Sequence, residues 1–161
     1  MKQKQRKMKK LSENFTLEEM IVSPTAARMG IDNTPTPIVI TNLRNLVKTI
    51  LQPAREFLGI AIFVTSGFRC KMLNIAIGGS RTSQHMKGEA ADLQCADNAA
   101  LFRFIYENCK FDQLIWEFGD DDQPLWVHVS RCFAGNRQQV LRARTVSGKT
   151  VYEKFNGNIQ A

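Results

Sequence analysis

The chain holds two histidines, His85 and His128, and each sits where an imidazole can do more than pack. His85 precedes Asp92 by seven residues in Ser83-Gln84-His85-Met86-Lys87-Gly88-Glu89-Ala90-Ala91-Asp92. Gly88 between them allows the backbone to turn sharply. His128 lies in Leu125-Trp126-Val127-His128-Val129-Ser130. If that segment is a strand, alternation puts Val127 and Val129 on one face and Trp126, His128 and Ser130 on the other. The same alternation turns Asp92 away from Ala91 and Leu93, and a carboxylate set into an apolar strand needs a partner or a metal. Two imidazoles and one carboxylate are a suitable catalytic zinc set. Three protein ligands leave the fourth tetrahedral position to water, whose pKa the metal lowers toward about 7. A carboxylate base is then required. Glu117, in Leu114-Ile115-Trp116-Glu117-Phe118, is an acid inside an otherwise apolar strand, where desolvation raises its pKa. The spacing also fits two histidines satisfied by ordinary hydrogen bonds. A thiolate site from Cys95, Cys132 and His128 is chemically acceptable to zinc but leaves His85 and Asp92 unexplained.

The elements that must position these residues read as an α+β fold, a central mainly antiparallel sheet with helices packed on one side. Thr16-Leu17-Glu18-Glu19 is a capping box that starts a short helix, and Ser23-Pro24 starts another that Gly30 ends. Thr36-Pro37 to Leu58 has a cap, a proline at the first helical position and apolar Val39, Leu43, Leu46, Ile50, Ala54 and Phe57, so it predicts an amphipathic helix kinked or interrupted by Pro53. Ile60 to Thr65 is rich in β-formers and predicts a buried strand. A short helix follows at Met72 to Ile77, then an irregular Gly78-Gly79-Ser80 loop. Further strands are expected at Ala90 to Gln94, Phe111 to Phe118, Leu125 to Ser130 and Val140 to Val146, with a helix from Ala96 or Asp97 to Cys109. Gly119 to Pro124 reads as a hairpin loop, its acids Asp120, Asp121 and Asp122 solvated, as is Asp112. Trp116 and Trp126 read as core or rim aromatics.

The 161 residues are 43% hydrophobic and 23% charged, the composition of one folded domain, and no apolar run is long enough to cross a membrane. The expectation is a soluble chain with residues 1–10 as a basic, flexible tail and residues 11–161 as a single domain, acting as a monomer. The net charge of +7 is unevenly divided. Residues 1–10 contribute +6, residues 129–161 contribute +5, and residues 11–128, where the candidate ligands fall, carry −4. The basic start lacks the apolar stretch of a secretion signal. Four cysteines without CxxC spacing read as reduced thiols.

Ser66-Gly67-Phe68-Arg69, then Ser83-x-His85-x-x-Gly88-x-Ala90-x-Asp92, then Trp126-x-His128 resembles the zinc D-alanyl-D-alanine peptidases, whose carboxypeptidases, dipeptidases and phage endolysins act on peptidoglycan peptides. The central match has five fixed positions over ten residues. Phe15 to Met20 is similar to the start of a small single-domain branch of that family, so the likeness spans about Leu11 to Val146. The resemblance implies that the open face of the sheet holds one zinc ion on His85, Asp92 and His128. It implies further that Arg69 stabilises the substrate oxygen that becomes an oxyanion, and that Ser83 contacts the terminal carboxylate of the substrate. Many relatives place the catalytic acid three residues before the last histidine. That position is Leu125 here, so the base must come from another strand, and Glu117 is preferred over Asp112, Asp120, Asp121 and Asp122.

The reading this supports is a zinc metallopeptidase cutting stem peptides of bacterial peptidoglycan, as a D-Ala-D-Ala carboxypeptidase or an endolysin-type endopeptidase. It would be made in the cytoplasm without a signal peptide and act at the wall once released, as in phage lysis. The alternative is a cell-wall-binding module of the same fold without catalysis. A nucleic-acid binder ranks last: Arg131, Arg137, Arg142, Arg144, Lys149 and Lys154 come with no nucleic-acid motif. The basic ends suit attachment to an anionic wall.

Overall fold

The structure is a computed structural model and describes residues 8–157. Three short helical segments open the chain: α1 (Leu17–Ile21), α2 (Pro24–Met29) and α3 (Pro37–Leu46). The capping box at Thr16 is formed in full, with Thr16 Oγ1 accepting from the Glu19 amide and the Glu19 carboxylate accepting from the Thr16 amide. Gly30 closes α2 in the left-handed conformation that its missing side chain permits. Of the expected basic tail, residues 1–7 lie outside the described residues, whereas the Lys9 carbonyl accepts from Leu17 N and Lys10 bridges to Thr16.

The expected interruption at Pro53 takes a specific form. Helix α3 runs into a π-helical turn (Val47–Leu51) before α4 (Gln52–Leu58). Proline has no amide to give the carbonyl four residues back, and its ring crowds that carbonyl. The wider turn, with Gln52 N donating to Val47 O, carries the helix past the misfit. Val39, Leu43, Leu46, Ile50 and Ala54 are buried, but Phe57 is on the surface against Phe104.

The remaining elements are β1 (Ile62–Ser66), α5 (Lys71–Ala76), a 3-10 turn (Gln84–Lys87), β2 (Ala90–Cys95), α6 (Asn98–Asn108), β3 (Gln113–Glu117), β4 (Trp126–Ser130), β5 (Gln139–Val146) and β6 (Lys149–Lys154). The six strands form one sheet in the order β1-β2-β4-β3-β5-β6. All pairings are antiparallel except β3 with β5. This is the expected α+β class with a mainly antiparallel sheet. Strand β6 was not expected from the sequence; it returns from β5 through Ser147-Gly148, both with positive φ. The β1 expectation also needs correction. The strand lies at the sheet edge and pairs with β2 alone, so only Ile62 and Val64 meet the core while Phe63 remains 63% exposed.

Alternation along the strands divides the sheet into two faces. Ala91, Leu93, Leu114, Trp116, Val127 and Val129 pack with Leu43, Leu46, Ile50, Leu101, Phe102 and Ile105 of the helices in a single core. Asp92, Ile115, Glu117 and His128 point to the other face. Of the described helices, none is long and apolar enough to cross a membrane.

Candidate active site on the open face of the sheet

Asp92 and His128 are register partners on neighbouring strands β2 and β4, so the sheet itself sets them side by side. His128 Nδ1 lies 2.8 Å from Asp92 Oδ1. His85 reaches the same carboxylate oxygen from the 3-10 turn, with Nε2 3.4 Å away. Two glycines make this possible. Gly88 closes the turn at φ 71°, and a Cβ there would stand 2.7 Å from the Val39 carbonyl oxygen, so the turn lies directly on α3. The Asn42 side-chain amide, also from α3, donates to Lys87 O at 2.8 Å. Gly67 is pressed against Met20 so closely that a Cβ would overlap the Met20 carbonyl oxygen. Its own carbonyl oxygen is 2.7 Å from His85 Nδ1.

That contact assigns the tautomer. A carbonyl can only accept, so His85 Nδ1 carries a proton and Nε2 is the nitrogen turned toward Asp92 and His128, with a lone pair free to ligate when the ring is neutral. The loop carrying Gly67 is fixed in turn by Asn33. Its Nδ2 donates to Ile21 O and Phe68 O, and its Oδ1 accepts from Cys70 N at 2.7 Å.

The donor set fits a small tetrahedral cation. Ligand atoms about 2.0–2.1 Å from zinc at tetrahedral angles lie about 3.3 Å apart. The two separations to Asp92 Oδ1, 2.8 and 3.4 Å, bracket that edge, and all three ligand atoms lie within 4.8 Å of one another. Among the described residues this is the one such cluster of three or more His, Cys, Asp or Glu. The Cys95–Cys132–His128 arrangement does not assemble. Cys95 Sγ donates to Asp97 O, Cys132 Sγ lies against Gln84 and Glu89, and all four cysteines are free thiols.

Arg69 meets the cluster from the loop after β1. Nη2 donates to Asp92 Oδ2 at 2.9 Å and Nε donates to Ser66 Oγ at 2.9 Å. Ser66 lies in the Ser66-Gly67-Phe68-Arg69 segment, yet nothing in the sequence marked its hydroxyl as the group that orients the guanidinium. Burial alone would raise the Asp92 carboxyl. The charge of His85 and its Nε2 hydrogen bond when the ring is protonated, together with a hydrogen bond from His128, outweigh it and hold the group well below the usual carboxylate range. Burial pushes His85 the other way, disfavouring its protonated form against the pull of Asp92. Both shifts favour the states a metal needs, an ionised carboxylate and a neutral imidazole.

Glu117 stands two residues along β3 from Ile115, the register partner of His128, and is therefore diagonal to His128 on the same face. It is 6% exposed, and no hydrogen bond reaches its carboxylate among the described residues. Burial pushes its pKa up to about 7, with the negative charge of Asp92 adding to the rise and His128 opposing it. Ser83 heads the 3-10 turn, half-buried, without a capping bond. Leu125 is 55% exposed at the loop end before β4. Trp126 stacks on Phe118 at the rim at 5.3 Å between ring centres, while Trp116 is in the core with Phe102 and Phe155.

Three of the four rival acids are bonded elsewhere, and the fourth, Asp122, is exposed in the loop before β4. Asp112, expected in a solvated loop, is buried and paired with Arg137. Asp120 Oδ1 accepts the amides of Asp122 and Gln123, and Asp121 pairs with Arg142. Arg144 is paired with Glu153, so much of the basic C-terminal charge is neutralised within the chain. One open-face residue escaped the sequence analysis along with its strand. Tyr152 of β6 is the register partner of Ala143, which is the register partner of Glu117. The run of β-formers Thr150-Val151-Tyr152 just after the turn residues Ser147-Gly148 is the signal that could have found it.

Comparison with protein families matches residues 13–130 to the family described as Peptidase M15. No curated protein sequence matches the chain.

Proposed function

Because the chain belongs to the peptidase M15 family, we propose that it is a zinc metallopeptidase that hydrolyses a peptide bond in the stem peptides of bacterial peptidoglycan, as a carboxypeptidase or an endopeptidase. The observation that carries this reading is the convergence of His85 Nε2, Asp92 Oδ1 and His128 Nδ1, with an unpaired carboxyl of raised pKa on the same face. Zinc, when bound there, supplies Lewis acidity toward the scissile carbonyl and lowers the pKa of water.

The protein's own groups supply the rest. Gly67 O keeps His85 in the tautomer whose Nε2 can ligate, and Arg69 holds the second oxygen of Asp92, so both ligands are oriented before any metal arrives. Glu117, as carboxylate, takes the proton of the attacking water and returns it to the leaving amine, a shuttle suited to a group that titrates near neutrality. The Arg69 guanidinium, fixed by Ser66 and Asp92, has Nη1 left to face the substrate oxygen that gains charge. In this reading Ser83, whose hydroxyl makes no capping bond at the head of the turn, contacts the substrate carboxylate.

The test is metal content and hydrolysis together. The purified protein should hold one zinc per chain or take one up, and His85→Ala or Asp92→Ala should lose both metal and cleavage of muropeptides. Absence of stoichiometric metal after zinc loading overturns the reading. Mass spectrometry of the products separates release of a terminal D-alanine from an internal cut. Exposed Leu125, at the position where an acid would stand three residues before His128, favours a second reading, a wall-binding module without catalysis. Muropeptides that bind but return unchanged would select it. The proposed site of action is the cell wall after release, and fractionation of cells before lysis tests that route.

A further inference from the structure

The open face continues past Glu117 to the far edge of the sheet. Trp126, Glu117, Ala143 and Tyr152 are consecutive register partners across β4, β3, β5 and β6, so their side chains form one row on the face that carries His128 and Asp92. Ala143 has only a methyl group to fill its place in that row. Ala143 is fully buried, so the polar groups of the row beyond Trp126 are the Glu117 carboxyl and the Tyr152 hydroxyl. Tyr152 is 54% exposed, and its hydroxyl engages no hydrogen bond among the described residues. Partial burial raises its pKa, with the charges of Glu117 and Asp92 adding to the rise, so the phenol keeps its proton and can donate.

The two ends of the row of functional groups differ in kind. At the β1–β2 end stands the cationic Arg69, salt-bridged to Asp92. At the β5–β6 end stands a neutral donor close to an acid. A cation suits the part of a substrate that bears or gains negative charge. A neutral hydroxyl beside a carboxyl suits an uncharged acceptor, and along a peptide the recurring one is the backbone carbonyl. We infer that Tyr152 is a substrate-contacting residue whose hydroxyl donates a hydrogen bond to a backbone carbonyl of the bound peptide, on the side of the scissile bond away from Arg69. Together with Arg69 it fixes the direction in which the peptide lies across the sheet. Tyr152, on β6, falls outside the matched residues 13–130.

The inference rests on the peptidase reading, and the experiment separates the two. The zinc-loaded full chain and its Tyr152→Phe variant are compared on synthetic stem peptides, by hydrolysis for KM and kcat and by calorimetry for Kd in a Glu117→Gln background. A single neutral hydrogen bond made equally in ground and transition states predicts a rise in KM and Kd of about fivefold with kcat unchanged. Shortening the peptide from one end should make variant and wild type indistinguishable; shortening it from the other should leave the difference intact. Unchanged KM and Kd overturn the role of Tyr152 and leave the peptidase reading standing. So does an equal loss on every peptide length, which marks a merely structural tyrosine. If the wild type binds stem peptides without cleaving them, catalysis is wrong and the fivefold loss of binding still decides Tyr152. A wild type that neither binds nor cleaves overturns both.

Discussion

Strand β3 carries a buried acid at each end, and the protein treats the two in opposite ways. Asp112, just before the strand, receives Arg137 Nε on Oδ1 at 2.9 Å, Arg137 Nη2 on Oδ2 at 2.6 Å and the Arg137 amide at 3.0 Å. Those bonds outweigh desolvation, and its carboxyl titrates below the usual range. Glu117, at the strand's other end, is buried to a similar degree and receives no hydrogen bond among the described residues, so its pKa rises to about 7. A fully bonded buried acid holds a fold together. One left without donors is a cost the fold carries, and such costs gather where chemistry is done.

Exchanging either acid for its amide should therefore give opposite phenotypes. Glu117→Gln should cut kcat by about 10²–10⁴, the range for loss of a general base, while zinc content stays at one per chain. Metal analysis beside single-turnover kinetics checks this, and undiminished hydrolysis would remove Glu117 from the mechanism. Arg69→Lys comes next. A lysine can keep the charge near Asp92 but cannot reproduce the fork that binds Ser66 and Asp92 together while facing the substrate. A fall of about 10² in kcat/KM is expected, with a rise in KM alone pointing instead to a role confined to binding.

How far the sequence disclosed this arrangement depends on the kind of interaction involved. The His85–Asp92–His128 cluster was visible because it uses rare residue types at strand-like alternation, and its assembly needs only the β2–β4 register that the apolar pattern enforces. The core face was visible for the same reason. The bonding of Asp112 was not, since its partner Arg137 is 25 residues away and no local pattern links them. Nor was the edge position of β1, because an apolar run reads the same whether one face or two are covered. Strand β6 was hidden by its polar composition. Its residues are exposed, so it lacks the hydrophobic alternation that marks a strand, and its pairing with β5 is a backbone property. Tyr152 was lost with it. The role of Ser66 depends on where Arg69 turns back, a loop geometry set by Asn33 and by the contact of Gly67 with Met20.

The closed end of β3 predicts a stability effect without a catalytic one. Arg137→Ala removes the side-chain donors of Asp112 while leaving the open face intact, and should cost about 2–3 kcal/mol in urea unfolding at pH 7. Its kcat/KM on muropeptides should match wild type. Loss of activity without loss of stability would contradict the division between the two ends.

The pH dependence of stability gives the smallest effect and a direct contrast. Asp112 has a depressed carboxyl, so its contribution is present above the ordinary carboxylate pKa and is lost as the pH falls below it. Glu117 has the reverse sign. Between its ordinary value of 4.5 and about 7 the folded protein keeps a proton that the unfolded chain has released, so stability declines across that interval and stays low above it. In chelator-treated protein, Glu117→Gln should therefore be more stable than wild type at pH 8 by about 2 kcal/mol, allowing for the residual solvent contact of the carboxyl. The advantage should vanish near pH 4.5. Zinc should shrink the neutral-pH advantage, because a divalent cation beside Glu117 favours its ionised form and relieves the cost of burying it. Urea unfolding of both proteins at the two pH values, with and without zinc, measures all four terms. A Glu117→Gln advantage that is independent of pH would mean that the gain comes from packing rather than from an ionisable group held without a partner.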